Sequence, residues 1–215
     1  MKIVLFGATG HVGQRIAREA LQRGHQVLGV VRDASASRAP DARVPLVQGD
    51  ATDAQSVAGV VQGADAVVSA VSPRPGSTGQ APSLVDAARG LIAGLREAGV
   101  RRLIAVGGAG SLEVAPGVAL MDTPGFPAEY LGEATQGRDS LAVYRTEADG
   151  LEWTFLSPAI VIQPGERTGR YRTTGDALLT DEKGNSVISY EDYAVALLDE
   201  LENPRHVGRR FGVAY

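Results

Sequence analysis

Residues Ile3-Val4-Leu5-Phe6-Gly7-Ala8-Thr9-Gly10-His11-Val12-Gly13 form an apolar run that breaks into three glycines, each separated by two residues, and a helical pattern follows to residue 23. A short continuous apolar run of this kind suits a strand buried on both faces. Each glycine then permits something different. Gly7 allows a tight turn, Gly10 lets a ligand approach bare backbone because no Cβ stands there, and Gly13 lets the new helix pack closely on the strand. The start of the helix supplies unpaired N–H donors and a partial positive charge. A strand, a glycine turn and a helix in that order are suited to a pyrophosphate, so Gly7, Ala8, Thr9, Gly10, His11, Val12 and Gly13 are expected to hold a dinucleotide.

The rest of the chain repeats the alternation. Strand patterns fall at residues 2–6, 26–31, 44–48, 66–70 and 102–106, with helical patterns at 11–23, 53–61 and 82–98 between them. That alternation predicts right-handed strand–helix–strand units in an α/β fold, a Rossmann-type doubly wound parallel sheet. Thr52 and Gln55 have capping-box spacing, and Gly24 and Gly99 stand where helices should stop. The second half is less regular. Residues 107–132 carry Pro116, Pro124, Pro127 and several glycines, too long for an ordinary connection. Residues 112–130 are read as a flap over the acceptor side. A helix over 133–149, a strand over 153–156, a short strand over 186–189, a helix over 190–202 and a closing strand over 211–213 complete the pattern. The expected organisation is one domain over 1–215, with a small irregular carboxyl-terminal elaboration and substrate-side elements near 112–132 and 158–190.

Composition excludes several chemistries. The 215 residues contain no cysteine, which removes thiolate catalysis, disulfides and thiolate-ligated metals. The three histidines are scattered and form no metal-ligand spacing, so no metal is expected. A net charge of -4 argues against a nucleic-acid partner, and no apolar run reaches membrane-spanning length. A cytoplasmic protein, a monomer or small homo-oligomer acting on a small aromatic molecule, is the expectation.

The end of the second strand bears on which dinucleotide is bound. It reads Val30-Val31-Arg32-Asp33. An acidic residue at the strand's last position accepts from both ribose hydroxyls and favours NAD(H), whereas an arginine pairs with a 2′-phosphate. Arg32 points to NADP(H), and Asp33 keeps NAD(H) open. Asp50 and Ala51 after the third strand are expected to meet adenine, and Ala70, Val71 and Ser72 after the fourth to pass beneath the second ribose. Gly107 and Gly108 after the fifth, and Pro158, Ala159 and Ile160 after the sixth, are expected around the nicotinamide. Small residues there leave room for a flat molecule.

With these motifs, and with Thr168-Gly169-Arg170-Tyr171-Arg172 and Val187-Ile188-Ser189-Tyr190-Glu191-Asp192-Tyr193-Ala194 further on, the chain resembles the atypical short-chain dehydrogenases/reductases. Within them it is similar to the NADH-flavin reductases and biliverdin reductase B (flavin reductase), and it is related to the NmrA-like proteins. The resemblance implies NAD(P)H-dependent reduction of a flavin or quinone-like acceptor, with FMN or another flavin as substrate. The biliverdin reductase B pattern has a histidine after the sixth-strand proline, where this chain has Ala159, and that departure weighs against tetrapyrrole reduction.

Ordinary short-chain dehydrogenases carry a Tyr-x-x-x-Lys pair, whose lysine lowers the tyrosine pKa for proton exchange. Here Tyr130, Tyr144 and Tyr190 are followed four residues on by Ala134, Ala148 and Ala194. Hydride transfer to an acceptor that takes its proton from water still works without that pair. Ser111 is the one hydroxyl in the stretch after the fifth strand and the candidate catalytic contact. Met121, Phe126 and Tyr130 of the flap, with Arg167 and Arg170, are placed on the substrate side, the arginines to meet a flavin phosphate or an acidic substrate. The alternatives are a non-catalytic redox sensor of the NmrA type and a nucleotide-sugar epimerase-like enzyme.

Overall fold

The computed structural model describes residues 1–73 and 83–215. In chain order the elements are β1 (Lys2–Phe6), α1 (His11–Gln22), β2 (Gln26–Val31), β3 (Leu46–Gln48), α2 (Ala54–Val61), β4 (Ala66–Ser69), α3 (Leu84–Ala98) and β5 (Arg102–Val106). There follow β6 (Glu113–Ala115), β7 (Val118–Ala119), a 3-10 turn at Leu120–Asp122, α4 (Ala128–Glu147), β8 (Glu152–Ser157), β9 (Val161–Gln163), β10 (Arg172–Thr174), β11 (Val187–Ser189), α5 (Tyr190–Glu202) and β12 (Arg209–Ala214).

The central sheet has eight strands in the order β10-β12-β8-β5-β4-β1-β2-β3, all pairings parallel except β10 against β12. Strand order reverses on either side of β1, whose neighbours are β2 and β4. This is the Rossmann-type doubly wound arrangement, and it opens a crevice at the carboxyl ends of β1 and β4.

Strand periodicity sorts the core into two layers. Ile3 and Leu5 of β1, with Val68 and Ile104, join Ile16, Ala17 and Ala20 of α1 and Tyr193, Leu197 and Leu201 of α5. Val4 and Phe6, with Val67 and Leu103, join Val57 and Val61 of α2, Leu91 and Leu95 of α3 and Leu141 and Tyr144 of α4. Both faces of the strands are therefore covered, which explains why they read as unbroken apolar runs. Trp153 and Phe155 are buried in the second layer beside Tyr144.

Several boundaries differ from the sequence reading for local reasons. Asp53, not Thr52, caps α2, its carboxylate accepting from the Gln55 N–H at 3.0 Å, while the Thr52 hydroxyl donates to Asp50. Pro82, the first residue of the expected third helix, lies outside the described residues; Ser83 caps α3 by accepting from the Asp86 N–H. Gly99 ends that helix at φ 71° and Gly24 follows α1 at φ 81°, as left-handed stops. Helix α4 begins at Ala128 rather than 133, and residues 113–119 form a β-hairpin where an irregular flap was expected. Strands β9 and β10 were not anticipated: each is three residues long and carries no alternation to betray it.

Candidate dinucleotide and acceptor site

The turn after β1 separates what the chain needs for itself from what it leaves open. Gly7 sits at φ 78°, and a Cβ there would lie 2.4 Å from the Ala70 carbonyl oxygen at the end of β4. A Cβ on Gly13 would lie 2.1 Å from the Gly7 carbonyl oxygen. Both glycines are demanded by packing. Gly10 is extended, donates its N–H to the Gly7 oxygen at 3.1 Å, and would bring a Cβ no nearer than 3.4 Å to anything. The space outside Gly10 is what an approaching phosphate uses. Among the described residues no side chain caps α1, and its first turn holds no acid, so an anion would supply the missing partner. Around this cradle Ala8 is buried, Val12 packs on the core, and the Thr9 carbonyl accepts from Gln14. His11 is exposed and stacks on Tyr190 at 6.0 Å, and Arg15 lies over the same ring and pairs with Glu191 at 3.1 Å. The first turns of α1 and α5 are thereby braced together beside the phosphate turn.

Arg32 and Asp33 follow β2 at the same edge of the sheet. The Asp33 carboxylate accepts from the Ser35 hydroxyl at 2.7 Å and from the N–H groups of Ser35 and Ala36. These bonds, the Ser35 hydroxyl first, hold its carboxyl below the ordinary value. Asp33 is thus committed to the turn that follows it. Asp50 behaves similarly, accepting from the Thr52 N–H and hydroxyl, so it shapes the turn that leads to buried Ala51. Ala70, Val71 and Ser72 leave β4 directly against Gly7, with the Ala70 N–H bonded to the Phe6 carbonyl. The donor set and the open cradle fit a dinucleotide pyrophosphate.

On the acceptor side, a Cβ at Gly107 would strike the Phe155 ring at 2.1 Å, whereas one at Gly108 would meet nothing within 4 Å. Gly107 serves packing and Gly108 faces open space. The expected flap folds back on this stretch. The Met121 N–H donates to the Gly110 carbonyl and the Leu120 N–H to that of Leu112, both at 2.8 Å, and the Phe126 ring reaches within 4 Å of the Cβ position of Gly110. Met121 is buried, Phe126 half-buried and Tyr130 exposed. Pro158 and Ala159 are buried after β8, while Ile160 is exposed with its N–H on the Ser186 hydroxyl. Just before them the buried Ser157 hydroxyl has no partner among the described residues. Ser111 is half-buried and accepts from Arg210 through both its carbonyl and its hydroxyl oxygen.

The two arginines expected near a flavin phosphate are directed elsewhere. Arg167 forks onto Glu19 of α1, at 2.7 and 2.8 Å. Arg170 lies in a polar cleft of about 740 Å³ with Asp199, Glu200 and His206 along the carboxyl-terminal half of α5. The reason is the course of residues 165–171. The Gly165 N–H bonds to Glu191, the Gly169 N–H to Asp192, and the Tyr171 hydroxyl to Asp199, which lays the segment down along α5 rather than over the crevice. Arg15 and Arg210 escaped the sequence reading, and Tyr190 and Glu191 entered it only within the motif at 187–194, not as site residues. Burial raises the phenol pKa values of Tyr144 and Tyr193, and the Tyr193 hydroxyl is bonded to the Leu156 carbonyl. Among the described residues no cluster suits a metal, and no helix is long and apolar enough to cross a membrane.

The fold and the glycine cradle define an NAD(P)-binding protein of the atypical short-chain dehydrogenase/reductase kind, and the chain belongs to the NAD(P)H-binding family, which it matches over residues 7–204. The protein YwnB of Bacillus subtilis is 44% identical over 216 residues, covering 99% of this chain and 98% of YwnB. A Bacteroides thetaiotaomicron structure named a "putative epimerase" is 39% identical, with TM-score 0.87 over 100% of this chain and 96% of that one. A Streptococcus pneumoniae structure named a "putative NADH-flavin reductase" is 36% identical, with TM-score 0.85 over 100% and 99%.

Proposed function

We propose that this protein is an NADPH-dependent reductase that delivers hydride to a flavin, quinone or similar flat conjugated acceptor. The observation that carries the reading is the floor of the crevice. Among the described residues a Cβ on Gly108 meets nothing within 4 Å, and the Phe126 ring comes within 4 Å of the Cβ position of Gly110 two residues on. The sequence holds no tyrosine–lysine pair to exchange a proton with an alcohol or sugar. The name of the Streptococcus relative points the same way.

Bound NADPH would supply the hydride, and an acceptor of this class takes its accompanying proton from water. The chain's own part is to bind and orient. Gly10 and the start of α1 receive the pyrophosphate, Arg32 the 2′-phosphate, and the backbone at Ala70 to Ser72 the second ribose. Gly107, Gly108, Pro158, Ala159 and Ile160 surround the nicotinamide. Met121, Phe126 and Tyr130 exclude water from the acceptor. Preference for NADPH rests on Arg32, because Asp33 is held in its own turn.

Loss of NADPH absorbance with menadione, riboflavin or FMN tests the reading, and turnover with at least one is expected. No turnover with any of them, alongside tight NADP binding, would replace it with an NmrA-type sensor. Epimerisation of a nucleotide sugar without net NADPH consumption would replace it with an epimerase-like activity, and "epimerase" is the class named for the Bacteroides relative.

A further inference from the structure

Arg210 is an arginine in strand β12 that is only 5% exposed. A cation is buried at such a place only with partners that offset its lost hydration. Its Nε donates to Asp176 Oδ1 at 2.7 Å, an oxygen that also accepts from Arg145 at 2.7 Å. Its Nη1 donates to the Ser111 carbonyl at 2.8 Å and the Ser111 hydroxyl oxygen at 2.9 Å.

That pair of bonds has a chemical consequence. A hydroxyl oxygen that accepts from a guanidinium turns its own proton away from the cation, and the charge draws density out of the O–H bond, making it a stronger donor. Among the described residues no acceptor meets the Ser111 proton. Ser111 follows Gly110, which the Phe126 ring overlies, and stands three residues from Gly108, which opens onto free space. The cation is fixed from one side by Asp176, and the serine backbone is fixed by the same Nη1 that polarises its hydroxyl.

Resting on the reductase reading above, we infer that Arg210 is a positioning residue that aims the Ser111 hydroxyl at a carbonyl oxygen of the acceptor. The substrate class is then a conjugated acceptor with a ring carbonyl, such as a quinone or an isoalloxazine. Negative charge gathers on that oxygen as hydride arrives, and a preorganised donor stabilises it. The acceptor gains two electrons with the hydride and a proton from water. Ser111 keeps its own proton throughout and Arg210 touches neither reactant.

The test combines Ser111→Ala, Arg210→Met, Arg210→Lys and the double variant Ser111→Ala/Arg210→Met. Three quantities are measured: kcat with menadione at saturating NADPH, the Kd of riboflavin for the NADP-loaded protein by flavin fluorescence, and Tm. Ser111→Ala is expected to lower kcat about tenfold or more and to weaken riboflavin binding several-fold. Arg210→Met should match it, Arg210→Lys should recover most of the loss, and the double variant should be no worse than either single. Equal losses from Arg210→Met with and without Ser111 would show that Arg210 acts only on folding, and would overturn the inference. Should Arg210→Met not fold, Asp176→Asn loosens the same guanidinium from an exposed position, and its loss of kcat must likewise vanish in the Ser111→Ala background. Unchanged kcat and riboflavin affinity in Ser111→Ala, in a protein that reduces menadione, would overturn the inference and leave the reductase reading standing. A wild-type protein that binds riboflavin without turning over any acceptor would instead overturn the reductase reading, while the binding data still report whether Arg210 acts through Ser111.

Discussion

The carbonyl oxygen of Gly7 lies 2.1 Å from where a side chain on residue 13 would begin, so the first strand and the first helix can meet only if residue 13 is glycine. Gly13→Ala must force the helix off the strand, and it is expected to lower stability by about 1–3 kcal/mol or more. Gly10→Ala tests the other half of the turn. Its Cβ finds room in the chain but occupies the phosphate's approach, so stability should stay within about 1 kcal/mol of wild type. NADPH affinity should nevertheless fall about tenfold or more, equivalent to about 1.4 kcal/mol. Thermal denaturation with cofactor titration separates the two. An alanine at residue 10 that left NADPH binding intact would remove the phosphate from this turn.

Arg32 and Asp33 are adjacent, and one oxygen of the Asp33 carboxylate is engaged by Ser35 and Ala36, so the proposed contact to a ribose 2′-phosphate falls to Arg32. Arg32→Ala should therefore weaken NADPH by roughly ten- to a hundredfold, the scale of a lost charge-assisted hydrogen bond, and change NADH little. Ser35→Ala frees part of the Asp33 carboxylate and should improve NADH relative to NADPH. Equilibrium titration of both cofactors checks this, and equal losses for the two in Arg32→Ala would refute the 2′-phosphate assignment.

What could be read from the residues in order follows from range. The inner strands β1, β2, β4 and β5 are largely continuous apolar runs and the turn glycines lie within seven residues of one another, so periodicity and local sterics reveal them. Arg210 reaches Ser111 across 99 positions and Arg167 reaches Glu19 across 148, and no local pattern joins such partners. Arg167 in particular looked like a ligand for phosphate because an arginine awaiting an anion and one paired within the chain read alike until the carboxylate opposite is known. The flap fared differently. Its prolines and glycines signal irregular chain, whereas the structure forms a β-hairpin at 113–119 and starts α4 at Ala128, with backbone bonds to Gly110 and Asp176 that sequence order does not display.

Glu19 is buried on α1 and accepts from both Arg167 and Arg23. The Arg167 hydrogen bond, against the opposing effect of burial and with help from Arg23, holds its carboxyl below the usual 4.5. A carboxylate with a lowered folded pKa contributes stability that is fully present above its unfolded value and is lost as pH falls through its folded value. Stability should thus decline on acidification below about pH 4.5, and Glu19→Gln should flatten that part of the profile. At neutral pH the same substitution leaves two arginines facing a neutral amide and should cost about 1–3 kcal/mol. Denaturant unfolding across the acid range measures both effects; a profile unchanged by Glu19→Gln would assign the acid sensitivity to other carboxylates.

Phe126 offers the clearest separation of acceptor from cofactor. Its ring overlies Gly110, on the flap rather than on the phosphate turn, and the backbone that carries it is anchored through Met121 to the Gly110 carbonyl. Removing the ring leaves those anchors in place. Phe126→Ala should therefore raise the acceptor KM about five- to tenfold, near 1 kcal/mol of lost contact, with the NADPH Kd unchanged. Gly110→Ala acts on the same contact from below, since its Cβ would press on Ala134 at 2.5 Å and displace α4 along with the ring. Both variants should raise KM, but only Gly110→Ala should lower Tm appreciably. Steady-state kinetics with menadione beside NADPH titration reads the split, and a parallel loss of NADPH affinity in Phe126→Ala would place the ring over the cofactor instead of the acceptor.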